Sequence, residues 1–287
     1  MTPSPRRPHD HVLTMRGVDK RFGAVRALTS VDFHVREGEV VALVGDNGAG
    51  KSTLVKILAG VHPLDAGTIE LDGDVVHITD PADAQALGIA TIFQDLALCE
   101  NLDVVGNLWL GRELTVQGRL DEVEMEQRTW LLLRELGATL PSVRVPVSTL
   151  SGGQRQTVAI ARSLIGDPRI VILDEPTAAL GVTQSAEVLN LIERLRDRGH
   201  GVILISHNLT DVLAVADRIV ALRLGRNNGD FDAEDATSEL LIAAITGAIG
   251  PAPSPSAPPR AASSRDDRPA APVIPLAGTR RPPETRR

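Results

Sequence analysis

The apolar run Val40–Val44 leads straight into Gly45-Asp46-Asn47-Gly48-Ala49-Gly50-Lys51-Ser52. An unbroken apolar run of this length reads as a strand covered on both faces. Glycines then permit a tight turn, and a helix is expected from Lys51 to about Ala59. The eight residues fit the pattern G-x-x-x-x-G-K-[ST], in the strand–loop–helix setting which that pattern requires. In such a loop, backbone N–H groups converge on phosphate oxygens and the helix adds its positive end. Lys51 would reach the β- and γ-phosphates, and the Ser52 hydroxyl would ligate Mg²⁺. Gly45 to Ser52, with the adjoining Thr53, are therefore the candidate phosphate-binding residues. Composition sharpens the point. All but three of the 30 basic residues are arginine, and Lys51 is one of the exceptions, with Lys20 and Lys56. A compact ammonium suits a narrow phosphate cradle better than a planar guanidinium does.

The rest of the chain alternates in the same way. Val12–Val18, Val31–Val35, Ile89–Phe93, Ile170–Leu173, Val202–Ile205 and Ile219–Leu222 are strand candidates. Glu122–Leu136 reads as an amphipathic helix, with Val123, Trp130, Leu133 and Leu136 on related faces. Ser151 is placed to cap a helix running to about Ile165, which Pro168 keeps from continuing. Gln184–Arg198 and Glu239–Thr246 supply further helices. Strands separated by helices predict an α/β sheet with crossovers. No internal repeat is present.

The run Ile170-Val171-Ile172-Leu173 ends in Asp174-Glu175, which places two acids at the C-terminal edge of a buried strand, where open α/β folds bind ligands. Successive strand residues point to opposite faces. The two acids are therefore expected to differ in task, one near Mg²⁺ and one near an attacking water.

Charge and composition limit the partners. The net charge is −7; a tail at +4 (residues 251–287) leaves −11 on the first 250 residues. An acidic body with four Phe, two Trp and no Tyr lacks the basic face and stacking rings of a nucleic-acid binder. No apolar run approaches the ~18 residues of a spanning helix. Arg6, Arg7 and Pro8 lead into no apolar stretch, so no secretory leader is expected. Cys99 is the only cysteine, which excludes an internal disulfide and suits a reducing compartment. Ten of the 19 prolines fall in residues 251–287, and such a composition cannot bury enough apolar surface to order itself. Disorder is expected at residues 1–11 and 249–287.

Leu150-Ser151-Gly152-Gly153-Gln154, shortly before the Asp174 strand, completes a set of motifs in order. The chain resembles the ATP-binding subunits of ABC transporters over about residues 12–248. The resemblance implies a P-loop NTPase fold: a mixed sheet with a RecA-like core plus an α-helical signature subdomain at about 95–165. It implies an ATPase whose cofactors are ATP and Mg²⁺. Phe22 matches the aromatic that stacks on adenine. Gln94 matches the glutamine that senses Mg²⁺ and the attacking water. Asp174 matches the acid that holds Mg²⁺ through water, Glu175 the general base, and His207 the histidine at the γ-phosphate. Ser151, Gly152, Gly153 and Gln154 match the signature that closes over a nucleotide held by a second subunit. A head-to-tail dimer is thereby implied, most simply a homodimer.

One position departs from the family. After Pro176-Thr177-Ala178-Ala179-Leu180 the family usually has Asp, and here Gly181 stands. This puts coupling between the two sites in doubt while both hydrolytic residues remain.

The segment Gln94-Asp95-Leu96-Ala97-Leu98-Cys99-Glu100-Asn101-Leu102, with Leu110-Gly111-Arg112-Glu113 and Leu222 to Gly229, is similar to the ATPases of bacterial simple-sugar importers. Transmembrane permease subunits, and indirectly a secreted sugar-binding protein, are then the implied partners. The implied location is the cytoplasmic face of the membrane, peripheral through the permease. Energising another substrate class or an exporter, and a non-transport or regulatory nucleotide-binding role, are the alternatives.

Overall fold

The computed structural model describes residues 11–250, which fall within one unit of the chain. The tail expected at 251–287, and residues 1–10, lie outside the described residues.

The chain opens with a long antiparallel hairpin, β1 (His11–Phe22) and β2 (Val25–Arg36). Both strands outrun the apolar segments expected at Val12–Val18 and Val31–Val35. Register shifts along the pair break the strict alternation that would have marked their full length. Then come β3 (Val40–Val44), α1 (Lys51–Leu58), β4 (Ala66–Leu71), β5 (Asp74–Val76), α2 (Pro81–Ala86) and β6 (Ile89–Ile92). A helical stretch follows: α3 (Val104–Trp109), the small hairpin β7 (Thr115–Val116) and β8 (Arg119–Leu120), α4 (Glu122–Glu135) and α5 (Gly152–Leu164). The chain returns through β9 (Ile170–Asp174), α6 (Val182–Asp197), β10 (Gly201–Ile205), α7 (Leu209–Val215), β11 (Arg218–Arg223), β12 (Arg226–Asp232) and α8 (Ser238–Thr246).

Two sheets carry the architecture. The order β2-β1-β4-β5 is antiparallel throughout. The order β12-β11-β3-β10-β9-β6 is parallel except for the edge strand β12. The central strands bury both faces, as their unbroken apolar runs require. Val41, Leu43, Ile170, Ile172, Ile203 and Ile205 pack toward α1 and the antiparallel sheet. Val40, Val171, Leu173, Val202 and Leu204 pack toward α3, α4, α5 and α6.

α4 differs from its expected facing. Met125, Thr129 and Leu133 are its buried residues, and Leu136 just beyond it is buried too. Val123 and Trp130 are exposed, so they do not share the core face with Leu133. An apolar residue on a short helix need not be inside, because about half of any protein surface is apolar.

Candidate functional site

Strand order creates the site. β3, β10, β9 and β6 are parallel neighbours, so their C-terminal ends lie along one edge of the sheet. Each end leads into one expected site segment: Gly45–Thr53 after β3, His207 after β10, Glu175 after β9 and Gln94 after β6. Four segments scattered over more than 150 residues thus meet on one edge, the ligand side of an open α/β sheet.

At the phosphate loop, α1 starts from Gly50 with no side-chain cap. Its first amides are left for a ligand. Gly50 has φ +107°, and a Cβ there would lie 2.7 Å from Leu28 Cδ2 and 2.8 Å from the Ala27 carbonyl. At Gly45, φ +153°, a Cβ would run into the Leu222 carbonyl oxygen. Both positions therefore demand glycine. Asp46 accepts from the Asn47 N–H at 2.7 Å and, through its carbonyl, from the Ala49 N–H, which shapes the turn. Lys51 Nζ donates to the carbonyls of Gly45 at 2.7 Å and Asp46 at 3.1 Å, so the ammonium lies back over its own loop. Gly48 and Ser52 are exposed, and Thr53 is half-buried.

The acid pair behaves differently from a simple strand alternation. β9 ends at Asp174, and Glu175 has left-handed φ +53°. The expectation that successive strand residues face oppositely does not apply, because Glu175 has left the strand. Its N–H donates to the Ile205 carbonyl at 2.9 Å, which pins it to the end of β10. Its side chain, 17% exposed, meets His207: Oε2 lies 2.7 Å from His207 Nδ1, and the His207 ring is 76% exposed. Asp174 is half-buried, and among the described residues its carboxylate accepts no hydrogen bond. Burial pushes its carboxyl above the usual range, and Glu175 adds to that; Lys51 and Lys56 pull the other way. Beyond Glu175, Thr177 Oγ1 donates to Asp211 Oδ2 at 2.7 Å, tying this segment to α7. No sequence signal marked that pair.

Gln94 is exposed just past β6. The loop that follows it is anchored. Arg162 of α5 donates to the carbonyls of Leu96 and Ala97, both at 2.7 Å. Buried Asn107 of α3 holds the backbone of Cys99, Leu102 and Asp103. Phe22 closes β1, 43% exposed.

Ser151 caps α5 as expected, in a full capping box: Gln154 N–H donates to Ser151 Oγ at 3.2 Å, and Ser151 N–H to Gln154 Oε1 at 3.0 Å. α6 lies behind the two glycines. A Cβ on Gly152 would stand 2.9 Å from Leu180 Cδ2, and one on Gly153 3.1 Å from Gln184 Cβ. Gly181 begins α6 with φ −75°, and its N–H donates to Gln184 Oε1 at 3.4 Å. A Cβ there would meet nothing within 4 Å, so no steric demand explains the missing Asp.

No helix among the described residues is long and apolar enough to cross a membrane.

Comparison with known proteins agrees with this geometry. The protein-family model for ABC transporters matches residues 28–178, more than half of the chain. The fructose import ATP-binding protein FrcA of Rhizobium meliloti is 44% identical over 248 residues, covering 84% of this chain and 95% of that protein. The xylose/arabinose import ATP-binding protein XylG of Sulfolobus acidocaldarius is 45% identical over 215 residues, covering 75% and 86%. Among solved structures, a dimeric ATP-binding cassette in a post-hydrolysis state, bound to ADP and Pi, superposes with TM-score 0.65 at 25% identity. It covers 77% of this chain and 98% of that one. With both the motif order and the parallel-edge geometry in agreement, this chain belongs to the ABC transporter family as one of its ATP-binding cassettes.

Proposed function

We propose that this chain hydrolyses ATP to power the import of a simple sugar, working as a head-to-tail homodimer against the cytoplasmic side of a membrane permease. The observation that carries the hydrolytic part is the Glu175–His207 contact, 2.7 Å, on the sheet edge that also bears the phosphate loop. Support for the sugar comes from relatives at 44–45% identity that are named fructose and xylose/arabinose import ATP-binding proteins.

The residues fit the implied groups. A triphosphate suits an uncapped helix start and a glycine loop in which a side chain would collide. A divalent cation suits Asp174, a half-buried carboxylate with no hydrogen bond among the described residues, beside a second carboxylate. Ser52, Asp174 and Gln94 are the residues that would hold Mg²⁺, which supplies charge neutralisation on the phosphate oxygens. Lys51 would exchange its two loop carbonyls for the β- and γ-phosphates. Glu175 would act as the general base that polarises the attacking water. His207 holds Oε2 of Glu175 and would contact the γ-phosphate. Phe22 would stack on adenine. The start of α5, with Ser151, Gly152, Gly153 and Gln154, would complete the site of the partner subunit.

The testing experiment is reconstitution in vesicles with the permease and a sugar-loaded binding protein. ATP turnover and sugar uptake that both vanish on Glu175→Gln support the reading. Turnover without uptake of any sugar, but with export or uptake of another substrate class, overturns its sugar part. No turnover in the unmodified chain overturns the enzyme itself.

A further inference from the structure

Lys20 is the one lysine of the first strand, in a chain that otherwise prefers arginine, and none of the motifs uses it. Its side chain is 9% exposed, and Nζ donates to Asp65 Oδ1 at 2.8 Å. The other Asp65 oxygen accepts from the Arg21 N–H at 2.6 Å, and the Asp65 N–H donates to the Asp19 carbonyl at 3.0 Å. Asp65 therefore grips residues 19, 20 and 21, immediately before Phe22. Lys20 Nζ also lies 5.6 Å from the centroid of the Phe22 ring.

A second ring meets Phe22. The His62 imidazole packs against it with centroids 5.1 Å apart and planes at 69°. Edge-to-face contact of this kind is favoured by the ring quadrupoles. His62 is itself fixed. Its N–H and that of Val61 donate to the Lys56 carbonyl in the last turn of α1, at 3.2 and 2.8 Å. Because α1 starts at Lys51, one helix links the phosphate loop to His62. Phe22 nonetheless stays 43% exposed, and the His62 ring makes no hydrogen bond to the described residues. The result is a corner with an open aromatic surface beside an imidazole whose two ring nitrogens are available for hydrogen bonding to a ligand.

We propose that His62 and Phe22 together form the corner that receives the purine base, with His62 a specificity-determining residue and the Lys20–Asp65 pair bracing the end of β1. The proposal rests on the reading of Phe22 as the base platform. Adenine presents an amino donor beside ring-nitrogen acceptors, whereas guanine presents a carbonyl and a ring N–H at the same edge. An imidazole edge can tell these apart, and a phenyl ring cannot.

The test is steady-state hydrolysis of ATP and GTP by the full chain carrying His62→Ala, His62→Phe or Phe22→Ala, with thermal midpoints taken without nucleotide. His62→Ala should raise the KM for ATP about 3- to 10-fold, the range of one aromatic contact, and move kcat much less. It should also lower the ATP/GTP ratio of kcat/KM. His62→Phe should restore the KM, because the ring contact survives, but not the ratio. A wild-type KM and ratio in His62→Ala, with a raised KM in Phe22→Ala, overturns the proposal and spares the platform. A silent Phe22→Ala overturns both. Restoration of the ratio by His62→Phe overturns the specificity role.

Discussion

Two helix N-termini face anions in the proposed reading, and the chain builds them in opposite ways. α1 starts from Gly50 with no side-chain cap, and Lys51 lies on loop carbonyls that it can exchange for phosphate. α5 starts from Ser151 with both arms of a capping box closed, and Leu180 and Gln184 of the following segment lie against its glycines. The first terminus has no side-chain cap within its own chain, so in that reading a ligand would satisfy it directly. The second has its cap closed by its own side chains, and Gly153 is buried against Gln184 while Gly152 is only half-buried. In the proposed reading the first is a binding site and the second is half of an interface.

That contrast predicts a dimer that forms on nucleotide and dissolves on hydrolysis. Glu175→Gln removes the base and should lower kcat about 10²–10⁴-fold, the usual range for a positioned base. It should trap an ATP-bound dimer on sizing chromatography. Only monomer in the presence of ATP and Mg²⁺ would contradict the role given to α5. Lys51→Ala strikes the other terminus. Losing one charge-assisted contact with two phosphates should weaken ATP binding about 100-fold by calorimetry. Retained affinity would mean that the loop alone binds nucleotide.

Ser151→Ala separates the two termini further. Loss of the capping hydroxyl costs about 1 kcal/mol, a fall in Tm of about 2–4 °C. ATP affinity of the monomer should hold while the ATP-driven dimer is lost. A weakened monomer affinity would place α5 against its own chain's nucleotide instead. The pH profile gives a finer comparison. Asp174 has a raised pKa, so it protonates at a higher pH than an ordinary carboxylate. Mg²⁺ binding to the free chain competes with that proton, so, followed by calorimetry as the pH is lowered, it should weaken at a higher pH than an unperturbed Asp would allow. The same sign makes the ionised Asp174 a cost to the folded chain at neutral pH, so Asp174→Asn should raise the nucleotide-free Tm while abolishing activation by Mg²⁺. A lowered Tm would show that the carboxylate is paired after all. Gly181→Asp has the smallest effect on stability. The space is open and Asp caps helices slightly better than Gly, so the Tm should rise by no more than about 1–2 °C. The steepness of the ATP response should change if Gly181 loosens coupling between sites; an unchanged response would remove that idea.

Legibility followed the range of the interaction. The phosphate loop, the Ser151 cap and the buried central strands were readable because each is written in adjacent residues. The ends of β1 and β2 were not, because register shifts interrupt their alternation. Val123 and Trp130 misled because α4 turns a narrower face inward, through Met125, Thr129 and Leu133. Glu175 misled because a positive φ ends the strand one residue before it. Lys20 was conspicuous by composition, yet its partner Asp65 lies 45 residues away and nothing local announces it.

The sequence by itself therefore determined the chemistry: a glycine loop with one retained lysine, an acid pair after a buried strand, a serine-capped signature helix. Local spacing sets turns, caps and strand cores, and these need no knowledge of the rest of the chain. Only the tertiary structure decided who meets whom. The order β3-β10-β9-β6 brings four separate strand ends to one edge, pairs Glu175 with His207, and seats His62 on Phe22. Those contacts depend on which strands become neighbours, and that choice is made by burial of whole faces against distant segments, which no local pattern records.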